Sequence, residues 1–232
     1  MSAKKMPHPD INKTLIEKSA NSAKTAFGVV LATAVAFFAA YLSQIGPISS
    51  GTPWTFSAEW VPRLGVELAF HVDGLSLLFG LLISGIGILV VVYSFGYFRT
   101  HQSHARLQWL LLAFMLAMIG LVSSDNIILL FIFWELTTIT SFLLVGFDHE
   151  NSKARRSALQ ALLITGGGGL CLLVGLVMLG QASGSYLLSE IIASDSNITE
   201  HAQYPLILGL ILIGAFTKSA QFPFHFWLPN AM

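Results

Sequence analysis

Six apolar runs constrain this chain more than any other feature. They lie at about 25–44, 74–96, 107–123, 126–147, 157–180 and 204–222. Each approaches the ~20 residues that cross a bilayer core as a helix. Inside hydrocarbon every backbone N–H and C=O must find its partner within the protein, so only helices or a closed barrel can span. The runs lack the polar/apolar alternation of lumen-lining strands. The expected fold is therefore all-α, a polytopic membrane bundle of about six transmembrane helices. Charged residues make up 10% of the chain and apolar residues 54%, with a mean hydropathy of +0.72. Soluble domains carry about 25% charged residues. The third run is short, and SSDN (123–126) reads as a tight polar turn that folds the third and fourth runs into an antiparallel hairpin.

The charges have a direction. Lys4, Lys5, Lys13, Lys18 and Lys24 precede the first run, Arg99 and Arg106 follow the second, and Lys153, Arg155 and Arg156 follow the fourth. Only Arg63 falls in the alternate loops, 45–73, 123–126 and 181–203, which instead carry seven acidic residues, Asp125 among them. By the positive-inside rule the N-terminus is cytoplasmic. Residues 1–24 read as a polar cytoplasmic segment and 25–232 as the membrane domain, the protein lying multi-pass in the cell (plasma) membrane. The segment 1–24 does not fit a signal peptide, because its lysine region is too long and no small-residue cleavage site follows. A net charge of zero with no basic surface excludes a nucleic-acid partner. The lone Cys171 excludes an intrachain disulfide and leaves no cysteine metal cluster. No flavin, haem or iron–sulfur ligand set is present, so no cofactor is expected.

Two ionisable residues interrupt the runs. Glu135 lies in the middle of the fourth and Lys218 near the end of the sixth. A lone charge at mid-bilayer costs at least ~2.5 kcal/mol, so intramembrane acids and bases usually face a partner, an ion path or a proton path. At the helical rise Glu135 sits ~14 Å and Lys218 ~21 Å below the same membrane face, close enough in depth to pair. Thr137, Thr138, Thr140 and Ser141 follow Glu135, and Thr138, one turn on, can share its face. Pro223 disfavours helix at Phe222, so the sixth helix should break just after Lys218. Broken helices recur in ion-coupled transporters.

Plainer readings stand beside these. Glu135 and Lys218 can also be a structural pair, although buried pairs stabilise poorly compared with apolar packing. Lys218 alone can snorkel towards the interface. His225 reads either as a proton relay or as an interfacial histidine satisfied by backbone. Asp148 and His149, with Glu150, read as a proton-collecting cluster or as an ordinary loop. Asp73 fits a helix N-cap. The Gly166–Gly169 run fits close helix packing. No residue pattern locates a metal or sodium site.

Three segments carry a family resemblance: FHVDGLSLLFGLLISGIG (70–87), LVSSDNIILLFIFWELTTITSFLLVGF (121–147) and GAFTKSAQFPFHFWLPNAM (214–232). They resemble the antiporter-like subunits of Mrp-type cation/proton antiporters and of the membrane arm of complex I and related hydrogenases. The match covers most of residues 60–232. The resemblance implies that Glu135 and Lys218 form an intramembrane pair in a proton pathway. The glycine-rich LLITGGGGLCLL (162–173) is similar to the A-type branch of the Mrp antiporter subunits. It stands where the large complex I subunit of this type carries an NRxGD-like stretch. Full members consist of two inverted five-helix repeats and usually begin with one more hydrophobic helix. The expectation is thus most of a first repeat, from a fragment or a split product.

The resemblance implies a proton-conducting subunit of a multisubunit sodium/proton antiporter. Its implied partners are the other subunits, the lipid bilayer, protons and Na+. The alternatives are a redox-driven pump subunit or a non-transporting one that helps the complex assemble. The expected topology is open to labelling: in a Cys171→Ser background, cysteines at Ser2 and Lys153 should react from the cytoplasm and one at Gly184 from outside. Labelling of position 184 only from the cytoplasm would overturn it.

Overall fold

The computed structural model describes the backbone of residues 9–61, 66–98, 103–194 and 198–231, with side chains from residue 21 onward. Helix α1 (Pro9–Ser43) begins well before the first apolar run, inside the stretch read from sequence as a polar segment. A short α2 (Ile45–Ser49) leads into four short strands: β1 (Trp54–Phe56), β2 (Glu59–Val61), β3 (Val66–Glu67) and β4 (Phe70–Val72). The long helices follow as α3 (Gly74–Tyr97), α4 (His104–Ser123), α5 (Ile127–Val145) and α6 (Ser152–Ser183). After a short α7 (Leu188–Ala193) come α8 (Tyr204–Lys218), a single 3-10 turn at Phe224–Phe226, and α9 (Trp227–Ala231).

Among the described residues five helices have the length and apolarity to cross a membrane, and α8 is a sixth, shorter apolar helix of 15 residues. The break expected after Lys218 is what shortens it. Fifteen residues rise only ~22 Å, less than the ~30 Å hydrocarbon core. The architecture is therefore a polytopic helical bundle with a broken last helix, as the sequence implied. The strands of loop 45–73 are an addition to that reading. There β1 pairs antiparallel with β4, in the register Trp54↔Val72, Thr55↔His71 and Phe56↔Phe70. β2 pairs with β3. These segments are rich in aromatic and β-branched residues, which favour strands, and Phe56 and Phe70 make a cross-strand ring contact at 6.5 Å.

The helix starts follow local chemistry. Asp73 accepts from the Ser76 amide at 2.8 Å, the predicted N-cap of α3. Burial works against its charge, but the hydrogen bonds from Ser76 and the nearby His71 outweigh it and hold the carboxyl below the usual carboxylate range. Asn126 caps α5 through Ile128 and Leu129, and Asn151 caps α6 through Lys153. Gly184 ends α6 at φ 78°, a left-handed conformation that glycine adopts without steric cost.

The loops follow an alternating chain path. Asp125 N–H donates to Ala69 O at 2.9 Å, Leu188 N–H to Asp125 O at 2.7 Å, and Ile127 N–H to Tyr186 O at 2.9 Å. The three loops grouped by charge on one side thus meet at one end of the bundle. At the opposite end the rings of Phe98 and Phe147 lie 6.3 Å apart, and Arg106 stands over Phe147 at 5.7 Å.

Packing is that of a protein solvated by lipid. Leu75, Leu89 and Leu163 are exposed, whereas Ser84, Gln108, Thr137, Thr138 and Thr217 are buried. In hydrocarbon no hydrophobic force drives helices together. Close approach at small residues and internal hydrogen bonds do so instead. A Cβ on Gly120 would meet the Phe133 ring, and one on Gly80 the Tyr41 ring. The Tyr41 hydroxyl and Ser123 Oγ share a buried hydrogen bond of 2.7 Å, joining α1 to α4.

The Asp125 carboxylate ties two loops together, accepting from Ser189 N–H at 2.8 Å and Ser189 Oγ–H at 2.6 Å. Replacing it by alanine removes both bonds and should cost roughly 1–3 kcal/mol, with the loss confined to this end of the bundle. Limited proteolysis of loop 184–203 should then cut faster in Asp125→Ala than in the parent protein.

Candidate functional site

Lys218 reaches α5, the helix that carries Glu135, but its hydrogen bonds go to other groups of that helix. Lys218 is the last residue of α8 and extends to the neighbouring α5. Its Nζ donates to Trp134 O at 3.1 Å, Thr137 Oγ1 at 2.7 Å and Thr138 Oγ1 at 2.7 Å. It also stands over the Trp134 ring, 5.3 Å from the centroid, in cation–π range. Residues 134, 137 and 138 share a helix face by the i, i+3, i+4 rule. An ammonium has three N–H donors, and all three are occupied.

Glu135 is not one of the acceptors. Its Oε1 is buried without a hydrogen-bond partner and lies against Gly169 of α6, where a Cβ would collide with it. The two charges are still near enough to act on each other through space. The hydroxyls of Thr137 and Thr138 serve the lysine, and Thr138 does not share a hydrogen bond with Glu135. A turn of helix carries Thr138 alongside Trp134, and the carboxylate one residue on points to α6 instead.

The glycine run on α6 explains how three helices converge. Gly168 faces Thr217 on α8, and Gly169 faces Glu135 on α5, whereas Gly166 and Gly167 have open space where a Cβ would stand. Close packing thus accounts for two of the four glycines. Gly214 on α8 likewise receives Leu172 of α6.

The break after Lys218 is closed by groups from downstream. Ala220 adopts φ 52° and the Phe222–Pro223 peptide is cis. The Thr217 carbonyl, left without a helical donor, accepts from Trp227 Nε1–H at 2.9 Å. Asn230 Nδ2–H donates to Gln160 Oε1 at 2.9 Å and fastens α9 to α6. A cavity of about 180 Å³ adjoins the lysine, lined in part by Thr137, Thr138, Ser141, Thr165 and Trp227. Phe114, Met118, Phe142 and Leu162 also line it, so the hydroxyls lie among apolar side chains.

The remaining candidates lie elsewhere. His225 is set beyond the break, its ring stacked on Phe222 at 5.8 Å. Asp148 and His149 lie in the turn between α5 and α6, where the His149 carbonyl accepts from Arg155 Nη1 at 2.7 Å. None of the three lines the cavity at Lys218. Sequence reasoning missed Trp134 and Trp227. Their neighbours were the signal, one preceding the intramembrane acid and the other following the proline break. Among the described residues no three His, Cys, Asp or Glu side chains gather as a metal site would require.

A cationic helix end and a buried carboxylate oxygen lie inside a bundle of helices long and apolar enough to cross a membrane, the architecture of a polytopic membrane protein. The chain belongs to the antiporter-like subunit family. Residues 124–232 match the model of the NADH:quinone oxidoreductase/Mrp antiporter transmembrane region. Residues 60–106 match that of the N-terminus of NADH-ubiquinone oxidoreductase (complex I) chain 5. The chain is 49% identical over 185 residues to the A/B subunit of a probable K(+)/H(+) antiporter of Rhizobium meliloti (strain 1021), covering 80% of this chain and 18% of that protein. It is 44% identical over 203 residues to the A1 subunit of a Na(+)/H(+) antiporter of Staphylococcus haemolyticus (strain JCSC1435), covering 88% of this chain and 25% of that one. The chain thus spans a quarter or less of these relatives' length. Among solved structures it superimposes on a chain of the Mrp complex from Dietzia sp. DQ12-45-1b with a TM-score of 0.78 and 34% identity, covering 92% of this chain and 25% of that one. A chain of an archaeal membrane-bound sulfane sulfur reductase shares the fold, with a TM-score of 0.74, 22% identity, and coverage of 95% of this chain and 47% of that one.

The glycine geometry yields a sharp contrast. Gly169→Ala inserts a methyl group into the space of the Glu135 carboxylate and should destabilise by about 1–3 kcal/mol, typical of overpacking. Gly166→Ala meets open space and should be tolerated. Thermal unfolding of the purified membrane protein, followed by loss of monodisperse material, should rank the two variants in this order.

Proposed function

We propose that this chain forms part of the proton path of a multisubunit monovalent cation/proton antiporter in the plasma membrane, its N-terminus cytoplasmic. Glu135 and Lys218 are the exchanging pair. The observation that carries this reading is the site itself: a half-buried ammonium at the end of a broken helix, near a buried carboxylate oxygen that has no hydrogen-bond partner. A structural fastener would engage that carboxylate, and here it is left open. The named relatives support the antiporter class, and their names divide between sodium and potassium. The proposal therefore commits to a monovalent cation, with sodium the first to test.

The chemistry follows from the competition between charge pairing and desolvation. A nearby carboxylate favours the charged lysine. Separation from that carboxylate, or its protonation, leaves desolvation to favour the neutral amine, and the proton moves on. Onward transfer and cation passage are assigned to the rest of the complex.

A second reading, a redox-driven pump subunit, draws on the family descriptions that name NADH:quinone oxidoreductase. It predicts quinone-linked in place of sodium- or potassium-linked proton flux. Proton movement in everted vesicles, followed with a pH-sensitive dye, separates the two.

In the assembled complex Glu135→Ala should abolish cation-dependent proton movement while the complex still assembles. Lys218→Ala should do the same. Lys218→Arg should fail largely as well, because guanidinium keeps its proton under all working conditions. Near-normal exchange by Lys218→Arg at matched abundance would mean that the lysine never releases a proton, and the pair would then be a fastener.

A further inference from the structure

The seat of Lys218 has a polarity of its own. Thr137 Oγ1–H donates to Trp134 O at 2.7 Å and Thr138 Oγ1–H to the same carbonyl at 3.2 Å. With its proton turned to this carbonyl, each hydroxyl presents its lone pairs to the lysine. Together with the Trp134 carbonyl they offer three acceptors and no donor, at 2.7–3.1 Å from Nζ. Thr137 and Thr138 are both almost fully buried.

An ammonium, with three N–H groups, satisfies this arrangement completely. A neutral amine has two N–H groups and a lone pair. In the same place its lone pair would oppose an acceptor, unless a threonine turned its proton away from Trp134 O. The seat also competes with Glu135. Since all three N–H groups are engaged, a bond to the carboxylate requires release of a seat oxygen.

We propose that Thr137, Thr138 and the Trp134 carbonyl form a seat that favours Lys218 in its protonated form and holds it apart from Glu135. Thr137 and Thr138 are then positioning residues. They bias when the lysine is free to reach the carboxylate, and they favour its return once it has regained a proton. This inference rests on the proton-path reading of Lys218 and adds to it a second station for the same side chain.

The test compares Thr137→Val/Thr138→Val with Thr137→Ser/Thr138→Ser in the assembled complex, at matched abundance, by dye-monitored exchange across a pH series. Valine keeps the shape and removes the hydroxyl, whereas serine keeps the hydroxyl and removes a methyl group. Loss of charge-assisted hydrogen bonds should lower exchange about tenfold in the valine pair, and the alkaline edge of the pH profile should move to lower pH. Serine should recover exchange to within about threefold of the parent, since the charge-assisted bonds are restored. If the valine pair does not assemble, Thr138→Val against Thr138→Ser gives the same comparison. Parent-like rate and pH profile in the valine variant overturn the seat, as does equal loss in the serine variant, which would indicate packing alone. Lys218→Ala is the separate control. If it retains exchange, the proton-path reading fails. If it abolishes exchange while the valine variant remains normal, only the seat is wrong.

Discussion

The bond set between the Lys218 ammonium and three oxygens of α5 determines how the second half of this molecule is assembled. A cation inside a membrane bundle is costly unless its donors are met. They are met because α8 ends at Lys218 close to the face of α5 that carries Trp134, Thr137 and Thr138. The Pro223 break explains why α8 is short and why the chain turns directly after it. It also explains the role of Trp227, whose indole takes up the carbonyl freed by the break.

Convergence of α5, α6 and α8 in turn depends on α6 being narrow where the other two meet it. Gly168 admits Thr217 and Gly169 admits the Glu135 carboxylate. The same glycine run that removes side-chain bulk also places an acidic oxygen against a helix with no donor to offer it. The polar site and the apolar packing are therefore one construction. The lipid-facing surface can be apolar because the hydroxyls and charges are directed inward.

The end of the bundle that carries Asp125 is organised by different means. Backbone hydrogen bonds and the Asp125 carboxylate join the loop before α3, the α4–α5 turn and the segment leading to α7. This junction holds the N-terminal ends of α3 and α5 in a common register. The depth of Glu135 within the bundle follows from where α5 begins at its Asn126 cap. A chain of local caps thus sets the position of the intramembrane acid.

Much of this was legible in the residues. Run lengths and the asymmetry of Lys and Arg specify the helices and their alternation, because hydrocarbon tolerates few other backbones. Asp73 and Pro223 mark a start and a break, since a cap and a missing N–H act within a few residues. Glu135 and Lys218 stand out because charge in an apolar run is rare. The paired strands of loop 45–73 and the early start of α1 were not apparent, because tertiary contacts and helix propagation override local composition there. Nor did the sequence disclose which oxygen meets which donor. Spacing places Thr138 near Glu135, and only the approach of α8 to one side of α5 assigns that hydroxyl to Lys218. Hydropathy is a property of segments and survives without a fold. A hydrogen bond depends on the relative rotation of two helices, which is decided only when small residues allow them to touch.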